Sequence, residues 1–116
     1  MRPIHIKQNN IVKKIKNYNP PFVIAEVGVN HNGDLETAKR LIDVSKKSGA
    51  DAVKFQTFSA EGLVLKDAKK AKYQIKNTKN NENQYEMLKK LEISYNELKE
   101  LQQYSNNVGL FFSTTP

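Results

Sequence analysis

Between Phe22 and Thr57 the sequence lays out one unit in a fixed order, and that order restricts the fold more than any other feature. Phe22-Val23-Ile24-Ala25 is a short continuous apolar run that follows the break at Pro20-Pro21. Such a run suits a strand covered on both faces, as in a parallel sheet. It ends at Glu26 and gives way to the loop Gly28-Val29-Asn30-His31-Asn32-Gly33. Asp34 can then cap a helix, because its carboxylate can accept from the free N–H groups of the first turn. Leu35, Ala38, Leu41 and Ile42 recur at helical spacing. Lys46 and Lys47 suit the negative helix end, and Gly49 suits the left-handed stop. Residues 51–57 read as a second strand. Strand, loop, helix, glycine and strand together take about 30 residues, the size of one βαβ crossover.

The pattern continues downstream. Residues 58–82 are polar, rich in Lys and Asn and broken by Gly62, an excursion with short helical turns. Residues 83–91 read as a helix with Tyr85, Leu88 and Leu91 on one face. Ser94 and Glu97 form a capping box, each able to bond the other's backbone N–H. Leu98, Leu101 and Tyr104 make the stripe of the helix that follows, Gly109 comes after its end, and residues 110–113 form a third strand. Upstream, Ile4-His5-Ile6 and Ile11-Val12 flank the polar Gln8-Asn9-Asn10, which predicts a β-hairpin within residues 1–20.

The expected class is therefore α/β. Three parallel strands alone leave open edges, and a complete (β/α)8 TIM barrel takes about 250 residues. The expectation is an N-terminal, three-strand portion of such a barrel over residues 21–116, preceded by the hairpin, with a small complete α/β domain as the rival. At 38% hydrophobic the chain can build a core, so wholesale disorder is not expected.

The formal net charge of +7 raises a nucleic-acid reading. Its distribution argues against it. Residues 1–20 carry five bases and no acid, whereas residues 21–63 carry five bases against six acids. No finger or RNA-binding signature accompanies the charge. The lysines between 66 and 79 form a basic stretch around Tyr73, read as a solvated surface or a rim that attracts phosphate. A basic, non-catalytic module for nucleic acid or another polyanion is kept as the alternative function. The absence of cysteine excludes a disulfide scaffold, a zinc–thiolate site and thiol catalysis. No apolar run approaches the roughly 20 residues of a membrane span, and the N-terminus lacks the apolar stretch of a signal peptide. A cytoplasmic location, with no membrane partner, is expected.

Ligands of parallel α/β sheets bind beyond the carboxyl ends of the strands. Glu26 ends the first strand. Lys54 and Gln56 alternate with Val53 and Phe55 and so share a face of the second. Thr114 and Thr115 end the third. A lysine within a strand calls for an anion, either Glu26 in a salt bridge or a bound ligand, and both readings stay open. His31, alone in a Gly- and Asn-rich turn, is not expected to be a metal ligand. The loop has the spacing of neither a P-loop nor a dinucleotide fingerprint.

Several stretches in order resemble the sialic acid (N-acetylneuraminate) synthase family, including its legionaminate-type members. They are FVIAEVGVNHNGD at 22–34, GADAVKFQT at 49–57, AKYQIKNT at 71–78, QYEMLKKLE at 84–92 and FSTTP at 112–116. The resemblance implies a (β/α)8 barrel, usually followed by a small antifreeze-like domain absent from these residues. It implies condensation of phosphoenolpyruvate with an N-acetylated amino sugar, giving a nonulosonic acid and phosphate. A divalent metal, Mn2+ or Mg2+, is implied as Lewis acid for the sugar aldehyde, with its histidine ligands on later strands and none in this chain. Carried over by position, Glu26 matches the active-site glutamate that contacts the sugar and the reacting centre. Lys54 matches a lysine that neutralises phosphoenolpyruvate, with Gln56 beside it. Thr115 matches a threonine of the Ser-Thr-Pro motif, where Thr114 replaces the usual serine. Asn77 or Thr78 is placed at the sugar. A homodimer is implied for the full-length enzyme and inactivity for the 116 residues alone. A phosphate-sugar aldolase-like barrel segment would share the fold but not these motifs.

Overall fold

The structure is a computed structural model, and it describes residues 2–58 and 84–115. An antiparallel hairpin, β1 (Ile4–Gln8) and β2 (Ile11–Ile15), comes first, followed by β3 (Ile24–Gly28), α1 (Leu35–Lys47), β4 (Ala52–Gln56), α2 (Gln84–Leu91), α3 (Tyr95–Asn107) and β5 (Phe111–Thr115). The strands β3, β4 and β5 form a parallel sheet in that order. This is the α/β arrangement expected from the alternation of strand and helix patterns.

The hairpin closes through Asn9 and Asn10, with Gln8 opposite Ile11. Asn9 adopts a left-handed φ of 52°, which asparagine tolerates in a tight turn. Gln8 therefore belongs to β1, not to the turn, and its side chain has a long-range role. The Gln8 amide donates to the Phe112 carbonyl at 2.8 Å and accepts from the Phe112 N–H at 2.7 Å. Buried Asn106 donates to the same Gln8 oxygen and to the Leu110 carbonyl, at 2.8 and 2.9 Å. Asn9 donates to the Asn106 side-chain oxygen. From the middle of β2, opposite Ile6, Lys13 pairs with Asp51 at 3.1 Å.

Both βα connections stop and start where the sequence indicates. The Asp34 carboxylate accepts from the Thr37 N–H and hydroxyl, and the Thr37 side chain is the main reason its pKa is lowered. The chain leaves α1 through Gly49, at φ +94°. Ser94 and Glu97 make the reciprocal capping box of α3, at 3.2 and 3.0 Å. α1 and α3 are joined side by side by Lys39–Glu100 at 3.0 Å and by the Tyr104 hydroxyl on the Asp43 carboxylate at 2.8 and 2.9 Å. The core lies between these two helices and one face of the sheet: Val27, Ala38, Ile42, Val53, Phe55, Leu101 and Leu110.

Two strand assignments need correction. The first strand begins at Ile24 and runs through Glu26 to Gly28, not over residues 22–25. Nor is it covered on both faces, since Val23 and Ile24 are exposed. The reason is local. Asp51 accepts from the Val23 N–H at 2.8 Å, and the Phe22 ring packs on Phe111, so these residues lead into the sheet as a tether. The third strand starts at Phe111 and extends to Thr115, while Leu110 sinks into the core.

Candidate active site

Alternation along β3, β4 and β5 sorts the polar residues onto one face. Glu26 stands opposite Lys54, and Lys54 opposite Ser113, making one row across all three strands. The next row holds Gln56 and Thr115. The helix-covered face carries Val53, Phe55, Phe112 and Thr114. Thr114 pairs with Phe55 and so sits on the core side. The expectation that both threonines end at one mouth is thus half right: Thr115 is on the polar face with Ser113, and Thr114 is not. Strand parity was the available signal for Ser113, because it lies two residues before Thr115. Asn77, Thr78 and the lysines between 66 and 79 lie outside the described residues.

The two readings of Lys54 turn out to be compatible. Its ammonium is 3.3 Å from a Glu26 oxygen, and the side chains are 38% and 50% exposed, respectively. At that exposure the pair contributes about 0–1 kcal/mol. Neither group is locked away from an incoming ligand. An anion with two or more oxygens can take the ammonium from Glu26 at small cost, leaving the carboxylate free to accept a hydrogen bond from a hydroxyl. Thr115 Oγ1 accepts from the Thr57 N–H at 3.4 Å, so its own proton remains available to donate. Gln56 adds an exposed amide with both donor and acceptor.

The backbone under this row is shaped by glycine. A register irregularity separates Glu26 from Gly28, whose φ is +58°. A Cβ on Gly28 would come within 3.4 Å of Glu26 Oε1 and 3.9 Å of the Gln56 amide carbon. The close approach of both side chains over Gly28 brings the ends of β3 and β4 together. The loop then folds through successive turns, with Asn30 N–H bonded to Val27 O, Asn32 N–H to Val29 O and Asp34 N–H to His31 O. Gly33, at φ +75°, abuts α2: a Cβ there would clash with the Lys90 carbonyl oxygen.

His31 is fully buried and lies on the core side, its ring 6.0 Å from that of Phe55. Nδ1 accepts from the Gly33 N–H at 2.9 Å, and Nε2 has no hydrogen-bond partner among the described residues. Burial lowers its pKa, against smaller raising effects of the Gly28 carbonyl and Glu97. Its apolar surroundings could not be read from a motif of asparagines and glycines. Among the described residues no three His, Cys, Asp or Glu side chains gather to hold a metal. The Nδ1 lone pair of His31 is also committed to Gly33. The described residues therefore do not fit a metal site. No helix among them is long and apolar enough to cross a membrane.

Over 94 residues the chain is 53% identical to an N,N'-diacetyllegionaminic acid synthase from Legionella pneumophila, covering 81% of this chain and 26% of that protein. Over 96 residues it is 40% identical to the human N-acetylneuraminate-9-phosphate synthase, covering 83% of this chain and 26% of that one. The crystal structure of an N-acetylneuraminic acid synthetase from Leptospira borgpetersenii superposes with a TM-score of 0.70 at 31% identity, over 98% of this chain and 34% of that one. The chain thus spans about a quarter of the length of the curated relatives it matches. The NeuB family model matches residues 41–116, well over half of the sequence, and with the ordered motifs and the three-strand sheet this establishes that the chain belongs to the NeuB family.

Proposed function

We propose that residues 21–116 supply the first three strands of a (β/α)8 barrel that condenses phosphoenolpyruvate with an N-acetylated amino sugar, yielding a nonulosonic acid and phosphate. The observation that carries this reading is the row of Glu26, Lys54 and Ser113 across three parallel strands, with Gln56 and Thr115 one row further toward their carboxyl ends. Family membership favours it over a basic polyanion-binding module.

In this reading Lys54 receives a negatively charged group of phosphoenolpyruvate, and Thr115 donates to it. Glu26, released from Lys54, accepts from the sugar beside the reacting carbon. Gln56 orients the pair from the next row. Asn77 is assigned to the sugar by its position in the motif. C3 of phosphoenolpyruvate attacks the open-chain aldehyde, forming the new C–C bond while the aldehyde oxygen takes up a proton. Water adds to the cationic C2, and the tetrahedral centre expels phosphate with cleavage of its C–O bond. A divalent cation belongs to the reaction expected of the whole enzyme. Because the described residues do not fit it, no step is assigned to it here. The sugar is proposed to be of the 2,4-diacetamido-trideoxy-mannose type, with N-acetylmannosamine as the competitor. The names of the similar legionaminic acid synthases support the first.

The test is phosphate release by the whole protein containing this chain. Release should require phosphoenolpyruvate and an amino sugar together, and the two sugars can be compared by kcat/KM. Lys54→Met should raise the KM for phosphoenolpyruvate or abolish turnover. An unchanged rate and KM would remove Lys54 from the site. The 116 residues alone are expected to give no turnover.

A further inference from the structure

We propose that His31 is the positioning residue of this site: a neutral imidazole, protonated on Nε2, that fixes the loop from Gly28 to Gly33 beneath Glu26 and Gln56. The inference rests on the functional reading only in treating Glu26 and Gln56 as the working groups.

The tautomer follows from the hydrogen bond. Nδ1 accepts from the Gly33 N–H at 2.9 Å, so a neutral ring carries its proton on Nε2. Imidazolium could not accept that bond, because both of its nitrogens are donors. The ring is fully buried and stacked on Phe55, with an interplanar angle of 29°. It is held by β4, the strand that presents Lys54 and Gln56 on its opposite face. His31 therefore links the back of β4 to Gly33.

Three left-handed residues, Gly28, Asn32 and Gly33, shape the loop. Asn32 takes φ 56°, which asparagine tolerates in a turn as Asn9 does. The bond from Gly33 N–H to the ring closes the segment on one side, and the contact of Gly33 with the Lys90 carbonyl closes it on the other. With Gly33 fixed, the turns back to Val27 fix Gly28. Gly28 in turn sets the floor on which the Glu26 carboxylate rests, since any Cβ there would stand 3.4 Å from Glu26 Oε1. A buried aromatic of similar size would fill the space beside Phe55 but could not accept the Gly33 bond. The side chain has to be an acceptor.

The experiment is NMR of the whole protein containing this chain, with 15N-labelled histidine, beside two variants. In the parent, the imidazole nitrogens should show Nε2–H with unprotonated Nδ1. In His31→Leu, which keeps bulk but loses the acceptor, exchange of the Gly33 amide should accelerate by about tenfold, the effect of one lost hydrogen bond. The Gly28 amide and Glu26 carboxyl resonances should move with it. In His31→Asn, whose short side chain can accept from an amide two residues on, Gly33 protection and the Glu26 resonance should return toward the parent values. An Nδ1–H tautomer in the parent would overturn the proposal. So would a leucine variant in which Gly33 is deprotected but Gly28 and Glu26 stay put, because His31 would then serve stability alone. If the leucine variant does not fold, the parent tautomer and the asparagine variant decide. In the whole enzyme kcat should follow the Glu26 resonance across the three proteins. Absence of condensation with the NMR pattern intact would refute the functional reading and leave the positioning role standing.

Discussion

The two faces of the parallel sheet are built from the same strands, yet they are organised by different physics. On one face Val27, Val53 and Phe55 are packed under α1 and α3 and lose nearly all contact with water. On the other, Ile24, Glu26 and Gln56 remain exposed and Lys54 half-buried. Burial of apolar area stabilises the first face, at roughly 25 cal/mol per Å2, while on the second the buried apolar residues are Ala52 and Phe111, one row before Lys54 and Ser113. A period of two residues separates the tasks, so each strand position belongs to stability or to chemistry and rarely to both. His31 is an exception, a polar side chain on the core side whose hydrogen bond reaches the loop of the polar side.

This division can be broken by substitution, and stability offers the common scale. Phe55→Ala should be the most damaging, costing about 3–5 kcal/mol, enough to unfold a marginal domain. Urea denaturation followed by circular dichroism would read it. A loss below 1 kcal/mol would mean that the helix-covered face is not the stabilising one. Ser94→Ala removes the cap of α3 and should cost about 1 kcal/mol, visible as a lower denaturation midpoint at unchanged slope. Asp51 tests the N-terminal end of the sheet, where it holds the Val23 N–H and pairs with Lys13 of the hairpin. Its pKa is lowered first by the Val23 N–H bond and then by Lys13, against the opposing effect of burial. A depressed carboxyl pKa adds stability above its unfolded value of about 4, and that stability is lost as pH falls through the lower folded value. Asp51→Asn should therefore flatten the acid limb of the stability profile below about pH 4. An unchanged limb would show that the tether contributes nothing. Lys54→Met should alter stability least, by about 0–1 kcal/mol, while removing phosphoenolpyruvate-dependent turnover. A large loss of stability would place Lys54 among the structural residues.

Much of this was legible in the residues. Asp34, the Ser94–Glu97 box, Gly49 and Gly109 act within a few residues of themselves, and local chemistry suffices to place helix ends. Lys54 and Gln56 share a face by alternation within a single strand. What could not be read depends on register between strands. The true start of β3 is set by Asp51 holding Val23, 28 residues away. Parity groups Ser113 with Thr115, but which parity set faces Lys54 follows from the register of β5 on β4. The burial of His31 arises from packing against Phe55 across the loop, and the partnership of Gln8 with Phe112 spans 104 residues. No periodicity encodes such contacts.

That last partnership has a consequence for how the sheet can grow. Among the described residues β5 is an edge strand, and edge backbone groups are open to pairing by any extended chain. At Phe112 both groups are already taken, by a single side-chain amide anchored in a hairpin from the opposite end of the sequence. A newcomer strand at that level has to evict Gln8 and the asparagines that hold it. The hairpin thus guards one rung of β5, and the fourth strand of the barrel proposed here has to pair with β5 beyond Phe112 or displace Gln8 itself.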